Sequence, residues 1–375
     1  MEKDNEFSEI LRRKISEALD EPFEEGIDAD DLMFELGMRY LRLRMAEKKN
    51  SNGKVTKRFS LWADDAPSKK AIIEYVDSVT DINSPDYIPP FDRIAIFDLD
   101  GTIFCETNPT WFDFMLLKHR ILEDEKYKIY ASEHEKKIAA AIQDVIDTGI
   151  VPKGLEVEVG HAIAHAFEGM SIRDFSLYVR KFAEQPSPCF EGMNIGEAFF
   201  QPMVQLIYYL KDNGFSVYIC SGSDREVIRV LVEGALILPS RYVIGTEERI
   251  SARNQKDIDG SEYEFGNQDE LVLKGEISAK NLKMTKVSMA AQQIGHPPVL
   301  SFGNSFGDVS MTNYVMSNPT YKTAAFFVCC DDDVRENGSP EKAQKIYDLC
   351  AENGWAPISM KNDWLTVFGE GITKK

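Results

Sequence analysis

Three short clusters in this chain set carboxylates, hydroxyls and glycines at the ends of apolar runs. "RIAIF" ends in Asp98-Leu99-Asp100-Gly101-Thr102, "VYIC" in Ser221-Gly222-Ser223, and "VLSF" in Gly303-Asn304-Ser305-Phe306-Gly307-Asp308. Lys286 opens the helix-like segment that feeds the third run. Asp98, Asp100 and Asp308 oppose up to three negative charges to the one ammonium of Lys286. Unit charges ~4 Å apart interact by ~4 kcal/mol at an effective dielectric of 20, so acids gathered this way demand a cation or a shared proton. Hard oxygen donors suit magnesium, which keeps waters and a phosphate oxygen in its shell. The serine hydroxyl, the loop N–H groups and the ammonium suit an anion with several oxygens. Metal, anion cradle and an aimed carboxylate together make phosphoryl-transfer chemistry, with a covalent aspartyl-phosphate within reach. Each cluster alone reads as an ordinary loop. Their convergence on one sheet edge is the expectation to test.

That convergence needs a parallel sheet, because ligands bind where its strands' C-terminal ends meet the loops. From 58 onward the pattern alternates. "KKAIIEYVDSVT" reads as helix and "RIAIFD" as strand, then a Gly-poor helical stretch runs from 104 to 197. Next come the helix "EAFFQPMVQLIYYLKDNG", the strand "FSVYICSG", the helix "DREVIRVLVEGA", the helix "KVSMAAQQIG", the strand "PVLSFGN", the strand "TAAFFVCC" and the helix "PEKAQKIYDLCAENG". This predicts an α/β fold, a Rossmann-like parallel sheet with helices on both faces. The polar segment 245–280 reads as a hairpin or irregular excursion. Residues 1–57 read as an N-terminal helical extension with stripes such as Phe7, Ile10, Leu11, Ile15 and Leu19, joined by the linker "EKKNSNGK". The expected organisation is thus 1–57 extension, 58–103 with 198–375 core, and 104–197 helical insertion.

Composition narrows the partners. The 375 residues carry 62 acidic against 43 basic side chains, a formal charge of −19. That excludes nucleic acid and anionic membrane as main partners and leaves a small phosphorylated metabolite, bound through local charge. No apolar run reaches the ~18–20 residues of a membrane span. The charged start, "MEKDNEFSEILRRKISEALDE", lacks the apolar core of a signal peptide, so a cytoplasmic chain is expected unless an export leader has been removed. The six cysteines, Cys105, Cys189, Cys220, Cys329, Cys330 and Cys350, show no zinc spacing. Cys220, Cys329 and Cys330 lie in strand-like runs and read as buried small hydrophobes.

In order along the chain, "FDLDGT", "SGS", Lys286 and "GNSFGD" resemble the four motifs of the haloacid dehalogenase superfamily, most nearly its phosphoserine-phosphatase-like branch. The segments around "LWADDAPSKKAIIEYV" and the late "GWAPISMKNDW" look like a group of such hydrolases known mainly from sequence, many of them exported. The resemblance spans roughly 60–375. It implies that Asp98 attacks phosphorus and holds Mg2+ through its carboxylate. Asp100 would protonate the leaving alcohol, then activate water, its carbonyl meeting the metal. Thr102 would orient the loop, and Ser221, with the Gly222 turn, and Lys286 would hold phosphoryl oxygens. Asn304 would sit on the metal, and Asp308 would be ligand or anchor. The second aspartate, Asp100, is absent from the dehalogenases and favours a phosphatase. Many relatives carry an acid where Asn304 stands, and an amide brings no charge.

The insertion at 104–197 falls where this branch places a helical cap, which favours small substrates. Glu106 is a candidate reader of a substrate amine, against a solvated loop acid. Trp111, Phe112 and Phe114 read as cap core first and as an aromatic cage second. Arg120, Arg173 and Arg180 are candidates for a substrate carboxylate. His161 and His165, four apart on a helix, lack the further ligands of a metal motif. Phosphoserine and phosphocholine are the substrates the resemblance brings nearest. Transfer to another alcohol, as in a mutase, and a non-catalytic phosphate-binding scaffold stay open as alternatives.

Overall fold

The computed structural model describes residues 59–375. The helical stripes and linker expected within 1–57 lie outside the described residues. In chain order the elements are α1 (Pro67–Thr80), β1 (Ile94–Phe97), α2 (Phe112–Leu122), α3 (Glu133–Thr148), α4 (Leu155–Ala166), α5 (Ile172–Ala183) and β2 (Phe190–Glu191). There follow α6 (Gln201–Asp212), β3 (Ser216–Asp224), α7 (Arg225–Leu236), β4 (Val243–Ala252), β5 (Leu271–Ala279), α8 (Met284–Ile294) and β6 (Leu300–Gly303). The chain closes with α9 (Val309–Met316), β7 (Ala324–Cys329), α10 (Pro340–Asn353), β8 (Ala356–Ser359), α11 (Met360–Asp363) and β9 (Thr373–Lys374).

Seven strands form one sheet in the order β5-β4-β3-β1-β6-β7-β8. All neighbours are parallel except β4 and β5, which make the hairpin read in 245–280. The fold is therefore a Rossmann-like parallel sheet flanked by helices, with a helical insertion after β1. The apolar run of β1 is buried on both faces, as a central parallel strand must be. It pairs β3 on one side and β6 on the other, so the chain reverses its winding there and leaves a crevice at the strand ends. Phe97, Phe302 and Phe326 stack across β1, β6 and β7 with centroids 4.2 and 5.3 Å apart, which locks the register of the strands beneath that crevice.

The insertion is four helices, α2–α5. Ser132 and Glu135 cap α3 reciprocally, and Gly149 ends it in the left-handed region. The insertion is tied to the β4–β5 hairpin by main-chain bonds, Gly169 N to Leu273 O at 2.9 Å and Leu273 N to Met170 O at 3.0 Å. At the other end α1 lies on the sheet, its Tyr75 hydroxyl donating to the Val299 carbonyl at 3.0 Å. The last strands were not foreseen: β8 adds a parallel edge to β7, and β9 pairs the short β2 antiparallel.

Candidate active site

β1, β3 and β6 bring the three polar clusters to one edge. Lys286, in the first turn of α8, reaches across them and is 3% exposed. Its ammonium donates to Asp98 Oδ1 at 2.6 Å and to Asp308 Oδ1 at 2.7 Å. The two flanking carboxylates hold the Lys286 ammonium above its ordinary range despite burial. Burial, and then the charge of Asp308, push Asp98 up to about 8 against the pull of Lys286. Thr102 Oγ1 lies 3.5 Å from Asp98 Oδ2 and donates to Asn304 Oδ1 at 3.3 Å.

Asp100 sits on the opposite side of this loop. Its Oδ2 accepts from the hydroxyls of Ser221 at 3.1 Å and Ser223 at 2.8 Å, while Oδ1 is buried without a partner. Burial raises its carboxyl above the ordinary range, the two serines pulling the other way. Ser221 thus meets Asp100 directly, and its oxygen also accepts from the Ser223 N–H at 3.1 Å. The Gly222 carbonyl accepts from Thr246 Oγ1 and from Lys280 Nζ, and a Cβ there would approach Leu282 Cδ2 to 2.8 Å. Ser223 belongs to the second cluster but had no role assigned from the sequence, and Lys280 was not singled out, since nothing local distinguishes it from a surface lysine.

Asp308 is buried with both oxygens in use. Oδ1 meets Lys286, while Oδ2 accepts from the N–H groups of Asn304 and Ser305, each at 3.1 Å, and from Ser305 Oγ at 3.2 Å. This geometry is that of an anchor that shapes the loop. Glu106, partly buried, contacts the site: Oε1 accepts from Asn304 Nδ2 at 3.1 Å and Oε2 from Trp111 Nε1 at 3.0 Å. Burial, followed by the charge of Asp100, pushes Glu106 up to about 8.

The insertion's other candidates stand away from this edge. Phe112 packs against Phe104 and Phe182, and Phe114 against Trp111, so these rings are core. Arg120 donates to the Ala166 carbonyl at 3.1 Å, pairs with Asp124 and lies over the Tyr127 ring. Arg180 pairs with Glu233, and Arg173 is exposed. No contact places any of the three at the crevice. His161 is exposed, and His165 Nδ1 meets Glu135 Oε1 at 3.1 Å. All six cysteines are free thiols. Those of Cys105 and Cys330 donate to the two oxygens of the buried Glu336 at 3.2 and 2.8 Å.

A second group of acids lies next to the crevice, where the insertion meets the core. Asp113, in the first turn of α2, accepts the Asp224 N–H at 2.9 Å. Asp224 caps α7 through the N–H groups of Glu226 and Val227. Glu248 on β4 is buried and meets no N–H or hydroxyl donor, and the neighbouring Asp224 adds to burial in raising its carboxyl. Burial pushes Asp113 up to about 7, Asp224 to about 6 and Glu248 to about 9.

The donor chemistry at the crevice fits a hard divalent cation. Asp98 Oδ2, Asp100 Oδ1 and Asn304 Oδ1 are oxygens with one weak partner or none inside a cluster of excess negative charge. Among the described residues no group of three or more His, Cys, Asp or Glu side chains is arranged to hold a metal ion, so such a cation leans on the amide, main-chain carbonyl and water as well.

No family model matches the chain. No curated protein matches it either. Among solved structures it is similar to a conserved, functionally unknown protein from Anaerococcus prevotii DSM 20548, at 12% identity over 79% of this chain and 94% of that one, TM-score 0.47. It is also similar to cytosolic 5'-nucleotidase IIIB bound to cytidine, at 13% identity over 78% and 94%, TM-score 0.42. A third is a phosphoserine phosphohydrolase-like protein from Francisella tularensis subsp. tularensis SCHU S4, at 16% identity over 68% and 92%, TM-score 0.35. The likeness of this chain to the haloacid dehalogenase fold stands on its own strand order and on four motifs meeting at one edge of the sheet.

Proposed function

We propose that the protein is a magnesium-dependent phosphatase that hydrolyses a small phosphomonoester through an aspartyl-phosphate. One observation carries the reading: the Lys286 ammonium bridges Asp98 and Asp308, joining the first, third and fourth motifs within 2.7 Å contacts at the mouth of a parallel sheet. A buried three-way ion cluster costs several kcal/mol in desolvation that a scaffold gains nothing from.

Asp98 supplies the oxygen that bonds phosphorus as the ester P–O bond breaks. Asp100 holds a proton above the ordinary carboxyl range and delivers it to the departing alkoxide from Oδ1, the oxygen with no other partner. The resulting Asp100 carboxylate then takes a proton from the water that attacks the acyl phosphate, releasing inorganic phosphate and restoring Asp98. Lys286 and the Ser221 turn steady the phosphoryl oxygens, and Asp308 anchors the lysine and the loop. Mg2+, held by Asp98, Asn304 and the Asp100 carbonyl, would neutralise the phosphoryl charge and favour the ionised form of Asp98. The insertion α2–α5 serves as a cap, with metabolite-sized substrates as the class that fits beneath it.

The test is release of phosphate from a generic aryl phosphate with Mg2+, followed by a screen of phosphorylated metabolites. Hydrolysis should require the metal and vanish in Asp98→Asn; turnover that survives the substitution overturns the mechanism.

A further inference from the structure

An amide at a metal site poses a problem that a carboxylate does not. Asn304 can present its oxygen, a ligand, or its NH2, which is none. Here the choice is made from outside. Asn304 Nδ2 donates to Glu106 Oε1 at 3.1 Å, which turns Oδ1 toward Thr102, 3.3 Å away, on the Asp98 side of the loop. Glu106 is itself fixed by Trp111 Nε1 at 3.0 Å. The contact is built against bare backbone: a Cβ on Gly101 would fall 1.9 Å from Asn304 Nδ2 and 2.8 Å from Glu106 Cδ. Gly101 also has φ +77°, so glycine is required there twice over.

We infer that Glu106 is a positioning residue of the divalent-cation site, orienting the Asn304 amide oxygen-inward. This rests on the magnesium reading of the site. Glu106 has two acceptor oxygens facing two N–H donors. Glutamine of the same shape has one, so either Trp111 or Asn304 would face an NH2 group. Satisfying Trp111 would then swing Asn304 around and aim its own NH2 at the cation.

The experiment is calorimetric titration of Mg2+ into the full-length parent, Glu106→Gln, Asn304→Asp and the double variant, with melting temperatures taken in EDTA. Glu106→Gln should weaken Mg2+ by about tenfold or more, the scale of losing a group that orients a ligand, while leaving the EDTA melting temperature in place. Adding Asn304→Asp should restore most of the affinity, because a carboxylate needs no orienting and brings its own charge. Should Glu106→Gln melt several degrees early, Glu106→Asp, which keeps the charge but shortens the reach, must show the same weakening. Equal affinity in the parent and the Glu106 variants, or no recovery in the double variant, overturns the inference and leaves the phosphatase reading standing. A parent that binds no Mg2+ overturns both.

Discussion

Two groups of buried acids lie side by side in this molecule and balance their charge by different means. At the crevice, Asp98 and Asp308 share the ammonium of Lys286 at 2.6 and 2.7 Å. At the seam between insertion and core, Asp113 and Asp224 rely on main-chain N–H groups, and Glu248 has no donor and is raised by burial and the charge of Asp224. Lys280, the ammonium that acts on them electrostatically, donates instead to the Gly222 carbonyl. The first arrangement orients its acids around a fixed ammonium that pulls against the burial raising Asp98, and an added cation would pull the same way. Among the described residues the second has no ammonium donating to its carboxyls, and burial raises all three, Glu248 the furthest. The two groups thus differ in the source of their compensation: a fixed ammonium at the crevice, main-chain N–H groups and protonation of Glu248 at the seam.

Removing the fixed cation should break this contrast most severely. Lys286→Met leaves two buried carboxylates facing each other without an ammonium. A loss of ~3–5 kcal/mol in urea unfolding is expected from breaking such a buried cluster. Aryl-phosphate hydrolysis should fall by about 10³-fold or more as the fixed electrostatic partner disappears. Full activity in this variant would mean that the cluster is structural, like its neighbour.

The seam should respond to a different change. Asp113→Ala removes the acceptor of the buried Asp224 N–H, and a cost of ~1–3 kcal/mol is expected for that orphaned donor. Asp113→Asn keeps an acceptor and discards the charge, so it should match or exceed the parent above pH 7, where Asp113 would otherwise ionise. Urea unfolding at pH 6 and 8 checks both. If alanine and asparagine cost the same, the acceptor is not what Asp113 supplies.

The two groups also differ in how far they could be read from residues alone. Asp98, Asp100, Ser221, Asn304 and Asp308 stand at the ends of apolar runs with glycines and hydroxyls beside them, strand ends are where a parallel sheet exposes polar groups, and Lys286 opens the helix that feeds the third run. Seam acids carry no such mark. Asp113 and Asp224 meet across 111 residues of chain, and Glu248 lies on a polar strand that reads as solvent-facing. Asp224 did have a local signal, an acid directly before the apolar periodicity of α7, the signature of an N-cap. β8 escaped because four residues between a glycine-terminated helix and a polar turn are too short for periodicity to speak. The arginines of the insertion were visible as types, but only tertiary packing decides that Arg120 is used on Asp124 and the Ala166 carbonyl.

Protonation at the seam leaves a pH signature that a substitution at Glu248 can isolate. Glu248 holds its proton up to about 9 in the folded protein against 4.5 ordinarily. Between those values the folded state binds more protons than the unfolded chain, so stability falls as pH rises through that window. Glu248→Gln replaces the titrating carboxyl with a neutral amide and removes this dependence. The parent should therefore lose more stability than the variant between pH 5.5 and 8.5, by roughly 1–2 kcal/mol after allowing for relaxation around the pair. At about 2–4 °C per kcal/mol for a chain of this size, thermal melts resolve that difference. The slope should not vanish, because Asp113 and Asp224 at the seam and Asp98 and Glu106 at the crevice are raised in the same sense and still titrate. Parallel melting curves for parent and variant across this range would show that Glu248 is ionised in the folded protein, and the division of labour between fixed cation and held proton would fail at its seam.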